Sequence, residues 1–173
     1  MCAKRDEQIN FCIRCGAKLQ IGHHFGGNRP ACPSCGWVYF ADPKVAVAAL
    51  IEKDHQILLV RRANNPQRGL WTLPAGFVDA GEDPIAAIQR ECIEEIGMET
   101  KVTKLFDVIF GQEHEYGVHI LIVYFVELLS GVLTPADDVD RVAYFSYDNL
   151  PPLAFDATNK IFSVLHEKGS FFS

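Results

Sequence analysis

Hydrophobic residues along this chain recur in two rhythms. Residues 45–51, VAVAALI, are an unbroken apolar run, as expected of a strand buried on both faces. Lys53, Asp54 and His55 interrupt it as a polar turn with His55 exposed, and residues 56–62, QILLVRR, read as a second strand. A polar loop containing Pro66 follows at 64–69, and residues 70–74, LWTLP, read as a short strand. From Pro84 to Ile96 the period changes. Ile85, Ile88, Cys92 and Ile96 recur at three- and four-residue steps, the stripe of an amphipathic helix. Pro84 suits its first turn, where a missing N–H costs nothing, and Gly97 suits the position after its last. Strands are expected at 101–110 and 119–128, joined by 111–117, and again at 142–147. Asp156 is placed to cap a final helix with Ile161, Phe162 and Leu165 on its inner face. Strands flanking a central helix, with a second helix at the end, predict an α/β fold with a mixed sheet between helical layers.

The first forty residues follow neither rhythm. Cys12, Cys15, Cys32 and Cys35 are spaced C-x2-C-x16-C-x2-C, and Gly16 and Gly36 follow the two pairs, as tight metal-binding knuckles require. Four thiolates suit a closed, structural Zn²⁺ site; two disulfides or an iron centre of the same geometry are the alternatives. His23 and His24 are expected in the loop between the pairs, and Cys2 is left over. The segment holds too few apolar residues to fold without the metal. A zinc module over residues 1–42 and a second domain over 43–173 follow, with the boundary near Asp42.

Charge adds a candidate chemistry. Glu91, Glu94 and Glu95 fall within an arc of roughly 100° beside the apolar stripe, with Glu82 one loop earlier. Of the basic residues only Arg90 is close. Like charges on one helix face repel, and a hard divalent cation, Mg²⁺ or Mn²⁺, would resolve the repulsion; a solvated acidic face is the bland alternative. The net charge of −6 argues against a non-specific nucleic-acid surface. No apolar run reaches the ~18 residues of a membrane span, and the N-terminus lacks the apolar core of a signal peptide. A cytoplasmic location is therefore expected, where the six cysteines would bind metal rather than pair as disulfides.

Read as a whole, Gly76, Glu82, Arg90, Glu91, Cys92, Glu94, Glu95, Gly97 and Met98 form the pattern G-x5-E-x7-R-E-U-x-E-E-x-G-U. It resembles the Nudix box. Cys92 stands where the family usually carries Ile, Leu or Val, a mild departure because a free cysteine packs as a small hydrophobe. The resemblance covers residues 44–168 and implies an α/β/α sandwich that hydrolyses a nucleoside diphosphate linked to another group. With an N-terminal zinc ribbon, the chain is similar to the ADP-ribose/FAD pyrophosphatase group, related to the NADH pyrophosphatases. The carriers are residues 11–16, 32–36, the phrase GLWTLPAGF at 69–77, and LAF at 153–155. The NADH pyrophosphatase marker SQPWPFPxS is missing, as is the proline that many ADP-ribose pyrophosphatases carry past the box. Tyr116 lies where diadenosine-polyphosphate hydrolases have a tyrosine, although a lone tyrosine near a strand start more often serves core or edge packing.

The resemblance implies site residues. Glu91, Glu94 and Glu95, with the backbone carbonyl of Gly76, would bind roughly one to three Mg²⁺ or Mn²⁺ ions that activate water at a phosphate. Arg90 and Glu82 would orient them. The general base is open among the box glutamates, Glu113, Glu115, Asp137 and Asp138, with Asp138 also a candidate metal ligand. Arg61, Arg62, Arg68, Trp71 and Phe155 are candidates for gripping the substrate; Arg61 and Arg62 alternate, so only one faces the site. The expected partner is a small nucleotide of the ADP-ribose, FAD or NADH type, yielding AMP and the partner phosphate. Homodimers are common in the family. A hydrolase that clears damaged nucleoside triphosphates, and a non-catalytic nucleotide-sensing or RNA-binding module, are the competing readings.

Overall fold

The computed structural model describes residues 9–111 and 120–168. Glu113, Glu115 and Tyr116 lie outside the described residues. The chain divides into two compact units, Met1–Pro43 and Lys44–Ser173.

In the first unit, strands β1 (Gln20–His24) and β2 (Gly27–Ala31) pair antiparallel between the two cysteine knuckles. His23 and His24 therefore lie on a strand rather than in the expected loop. Phe25 and Gly26 make the reversal, both at positive φ. Cys12 and Cys32 are buried, with Leu19 beside them. The ring of Phe40 packs against Phe25 and carries the Arg29 guanidinium 4.5 Å from its centroid.

The second unit holds strands β3 (Val45–Leu50), β4 (Glu52–Lys53), β5 (Gln56–Arg62), β6 (Trp71–Thr72) and β7 (Ala75–Phe77), then helix α1 (Pro84–Ile96). Strands β8 (Met98–Phe110), β9 (Ile120–Gly131) and β10 (Val139–Ser146) follow, and helix α2 (Asp156–Lys168) comes last. One sheet orders β10-β5-β4, with β6 also on β5. The other orders β7-β3-β9-β8 and is mixed, because β3 and β9 run parallel while their outer neighbours run antiparallel. Asp54 and His55 both take positive φ in the tight turn between β4 and β5.

Alternation along two strands builds the core. Val47 and Ala49 of β3 and Leu58 and Val60 of β5 join Ala87, Ile88, Cys92 and Ile96 of α1 in one cluster. Their neighbours Ala46, Ala48, Leu50, Ile57 and Leu59 join Ile161, Phe162 and Leu165 of α2 in another. Both faces of these strands are therefore buried, which is why they read as unbroken apolar runs, and the result is an α/β/α sandwich.

Two further expectations need correction. The strand expected at 70–74 shortens to Trp71 and Thr72, which pair to β5, and a further strand, Ala75–Phe77, follows it and pairs to β3. On α1, Ile85 is 44 % exposed, and the buried face runs instead through Ala87, Ile88, Glu91, Cys92, Glu95 and Ile96. The three- and four-residue steps gave the period correctly but not the centre of the face, because two of its members are carboxylates. Ile88→Ala should accordingly cost about 2–5 kcal/mol in urea unfolding, while Ile85→Ala should stay within about 0.5 kcal/mol of the parent. Equal costs would contradict this placement of the helix.

Candidate active site

Helix α1 is held at both ends in the way its sequence announces. Asp83 caps it, its carboxylate accepting from the Ile85 and Ala86 N–H groups, and Gly97 closes it in the left-handed region. This fixes the rotation that carries Glu91 and Glu95 inward, at 9 % and 6 % exposure, and leaves Glu94 at the surface.

Arg90 gathers the carboxylates. Its Nε and Nη2 donate to the two oxygens of Glu82 at 2.9 and 3.0 Å, a bidentate fork. Its Nη1 donates to Glu91 at 2.7 Å and to Glu94 at 2.9 Å, and Nη2 also reaches the Phe77 carbonyl at 3.1 Å. Glu82 additionally accepts from the Asp79 N–H. The Arg90 hydrogen bonds hold the Glu82 carboxyl down at about 2, well below its ordinary value.

Glu95 has no such partner. Its Oε2 accepts from the Ala75 N–H at 3.1 Å. Burial, with the charges of Asp138 and Glu91 added, pushes its carboxyl well above the ordinary 4.5. Burial raises Glu91 too, against the pull of Arg90. Gly76 lies against this pair so closely that a Cβ there would sit 2.0 Å from the Glu91 carboxylate. Strand β7 can pass the helix only because residue 76 has no side chain.

Asp138 arrives from the turn before β10. The Ala136 N–H donates to the Glu95 carbonyl, tying that turn to the end of α1, and the Ala63 N–H donates to the Asp138 carbonyl. Asp137 occupies the positive-φ corner of the turn and is exposed. Asp138 pairs with Arg62, 3.7 Å away.

Beside the carboxylates opens a cavity of about 460 Å³, a size suited to a small organic ligand. Its lining includes Gly76, Ala75 and Phe77 of β7, Ala46 and Ala48 of β3, Arg62 of β5, and Phe155 and Ile161 from the α2 region. Arg62 stands over the Phe155 ring at 5.3 Å and donates to the Pro66 carbonyl. Lys44 stands over the Phe77 ring, also at 5.3 Å.

Of the five candidates for substrate grip, the structure brings Arg62 and Phe155 to the cavity and leaves three aside. Arg61 points to the other face of β5 and forks onto Asp140 at 2.7 and 2.8 Å. Trp71 packs edge-on against Phe145, centroids 4.7 Å apart, and does not line the cavity. Its backbone pairs with the 152–154 stretch, which draws Phe155 into place. Arg68 is exposed on the loop. Sequence reasoning did not single out Lys44, Phe77, Thr72 or Thr158 among the lining residues. Phe77 and Thr72 lie in the phrase GLWTLPAGF, which carried a family resemblance without marking either as a lining residue.

In the first unit the Sγ atoms of Cys12, Cys15, Cys32 and Cys35 all lie within 4.8 Å of one another, and the thiols are free. The 12–35 and 15–32 separations are 3.6 and 3.4 Å. A tetrahedral ion with Zn–S bonds of ~2.3 Å needs sulfurs roughly 3.8 Å apart, so the donor set fits zinc. The Cys35 N–H donates to Cys32 Sγ and lowers that thiol's pKa to about 6, while the neighbouring sulfurs push Cys35 up to about 12, the crowding of four thiols that a bound cation would relieve.

The model of the NUDIX domain matches residues 42–165. The chain belongs to the Nudix family. An ADP-ribose pyrophosphatase of Methanocaldococcus jannaschii is 41 % identical over 118 residues, 68 % of this chain and 70 % of that protein. An NAD-capped RNA hydrolase, NudC, of Pseudomonas aeruginosa is 31 % identical over 83 % of this chain, which spans only 50 % of that protein. The crystal structure of a NUDIX hydrolase from Nitrosomonas europaea superposes with a TM-score of 0.80, at 27 % identity over 92 % of both chains. Nudix pyrophosphatases cleave diphosphate bonds with a divalent metal such as Mg²⁺, and this chain is an enzyme of that class. Among the described residues no helix is long and apolar enough to cross a membrane.

The raised carboxyls have a measurable consequence. A group whose folded-state pKa is raised contributes stability fully present below its ordinary pKa and lost as pH rises through the folded value. Without divalent cations, stability should therefore fall as pH climbs from 4.5 toward neutrality. Glu95→Gln, which carries no charge to bury, should show the shallower fall in urea titrations. Parallel profiles for the two proteins would refute the burial of a Glu95 charge.

Proposed function

We propose that this chain hydrolyses the diphosphate bond of an adenosine diphosphate linked to another group, of the ADP-ribose, FAD or NADH type, releasing AMP and the partner phosphate. The observation that carries the reading is the adjacency of two buried, under-neutralised carboxylates to an apolar cavity whose lining, among the described residues, holds cations and no acids. The printed name of the Methanocaldococcus relative supports the ADP-ribose end of the range.

The donor set around Glu95 fits a hard divalent cation: its buried carboxylate accepts one backbone N–H and no ammonium or guanidinium, and it is repelled by Glu91 and Asp138, while Glu91 and Glu94 share the single Arg90 guanidinium. Glu91, Glu94, Glu95 and the Gly76 carbonyl would hold Mg²⁺ or Mn²⁺, with Asp138 as a further ligand from the facing turn. When bound, the metal neutralises phosphate charge and makes a water nucleophilic near neutral pH. Arg90 and Glu82 fix the carboxylate rotamers. Asp138, placed on the opposite side of the buried pair and paired only at 3.7 Å, is the candidate to accept the proton of the attacking water. Arg62 steadies the diphosphate at the cavity mouth while Phe155 packs on the nucleoside. Several relatives named as NAD-capped RNA hydrolases favour a second reading, in which the adenosine diphosphate of an NAD-type group sits at an RNA end. The four-cysteine cluster is a structural Zn²⁺ site, and residues 1–42 are its ribbon.

Release of AMP from FAD, ADP-ribose, NADH, NAD⁺, diadenosine polyphosphates and oxidised nucleoside triphosphates, with Mg²⁺ and Mn²⁺, tests the reaction. Glu95→Gln and Glu94→Gln should each lower turnover at least about a hundredfold while melting as cooperatively as the parent. Near-parental turnover in both would remove the metal-ligand assignment, and a preference for oxidised triphosphates would replace the substrate class. Elemental analysis should find about one zinc per chain, lost in Cys12→Ser. Protein without zinc, whose thiols stay unreactive after denaturation, would point to disulfides instead.

A further inference from the structure

Two buried hydroxyls in the lining of the cavity have no role in the reaction proposed above. Thr72 ends the two-residue strand β6, and Thr158 lies in the first turn of α2. Their hydroxyl oxygens are 3.2 Å apart, and both residues line the cavity. They are 7 % and 3 % exposed, the only buried polar side chains in a lining otherwise made of alanines, leucines, Ile161, Pro66, glycines, two phenylalanines and the two cations.

Each threonine hydroxyl offers one donor and two lone pairs. The bond between them uses one donor and one lone pair. Among the described residues, one O–H therefore remains with no protein acceptor, beside lone pairs that accept from no protein donor. A pair of this kind, buried in a mainly apolar lining, costs stability unless a ligand or water completes it. The complementary ligand presents one acceptor and one donor on adjacent atoms of a planar edge, with flat apolar faces for Phe155 and Phe77. Adenine meets this description through its ring N1 and the exocyclic amino group next to it.

We infer that Thr72 and Thr158 are specificity-determining residues that read the amino edge of an adenine seated in this cavity. The inference rests on the reading of the cavity as the seat of the substrate's nucleoside. The strand–helix placement explains why the residues lie 86 positions apart yet act together. Trp71 pairs its backbone with residues 152–154, and that pairing brings the start of α2 against β6. Either hydroxyl can donate, so the pair adapts its direction to the base rather than the reverse.

Direct binding of AMP, followed by calorimetry on the full chain, tests this without turnover. The comparison ligand is 1,N6-etheno-AMP, whose added ring blocks the edge in question and leaves the faces and phosphate intact. Wild-type protein should prefer AMP, and Thr158→Val and Thr72→Val should each weaken AMP about two- to tenfold while leaving the etheno compound unchanged. Thr158→Ser, which keeps the hydroxyl, should retain the preference. Wild-type protein that binds both ligands equally, or neither, overturns the inference, as do valine variants that lose both ligands in parallel. A protein that discriminates AMP in this way but hydrolyses no dinucleotide upholds the inference and removes the proposed reaction instead.

Discussion

Keeping charged carboxylates out of water is the constraint on which the second unit turns. An unpaired carboxylate in a protein interior is costly enough that it normally takes up a proton, and Glu91 and Glu95 are both driven that way by burial. The surrounding chain meets the cost only in part. Arg90 reaches Glu91 from outside, but its fork is already committed to Glu82, and Glu95 receives a single backbone N–H. A glycine at 76 lets a strand come within contact of the pair, and the 136–138 turn closes on the other side with another acid. Asp138 and Glu91 add negative potential at Glu95 that the Ala75 N–H and Arg62 offset only in part. A fold selected for stability alone would place leucines here, as Ile88 and Ile96 show one turn away on the same helix face.

The cavity is a consequence of how β6 and β7 divide. Thr72 stays with β5 while Ala75 crosses to β3, so the two sheets part at Leu73 and Pro74. The space between them is lined on the β3 side by Ala46 and Ala48, residues too small to fill it. Packing at ordinary interior density would not tolerate such a void unless something else filled it. The same split places the Ala75 N–H on Glu95, so one irregularity opens the cavity and orients the buried carboxylate beside it.

How much of this was legible in the sequence depends on how local each feature is. The helix, its Pro84 start, its Gly97 end and the carboxylate spacing are written in consecutive residues, and they appeared where the period placed them; the Asp83 cap was not singled out. The cysteine cluster was equally plain, because two short knuckles need only one long-range encounter. Trp71 was ambiguous, since strand alternation gives two faces without saying which is the cavity. Arg61 and Arg62 had the same ambiguity, and the fork between Arg61 and Asp140 resolves it through a residue 79 positions away. Ile85 misled because hydrophobic period counts apolar side chains and is blind to buried acids. Thr158 gave no sequence signal and Thr72 only its place in the phrase at 69–77: a threonine in a strand and another in a first helical turn are ordinary there, and their pairing comes only from the meeting of β6 and α2.

Arg62 links the two halves of the site. It faces the Asp138 carboxylate on one side and the Phe155 ring on the other, with its Nε fixed on the Pro66 carbonyl. A flat guanidinium can serve all three at once; a lysine ammonium, a point charge on a flexible stem, cannot. Ligand stacked on Phe155 therefore acts on a group that also helps set the field at Glu95, whose carboxyl Arg62 pulls down while Asp138 and Glu91 push it up. Binding energy gained far from the phosphorus can in this way be expressed at the reacting atoms, which is the condition for raising turnover rather than merely tightening the complex.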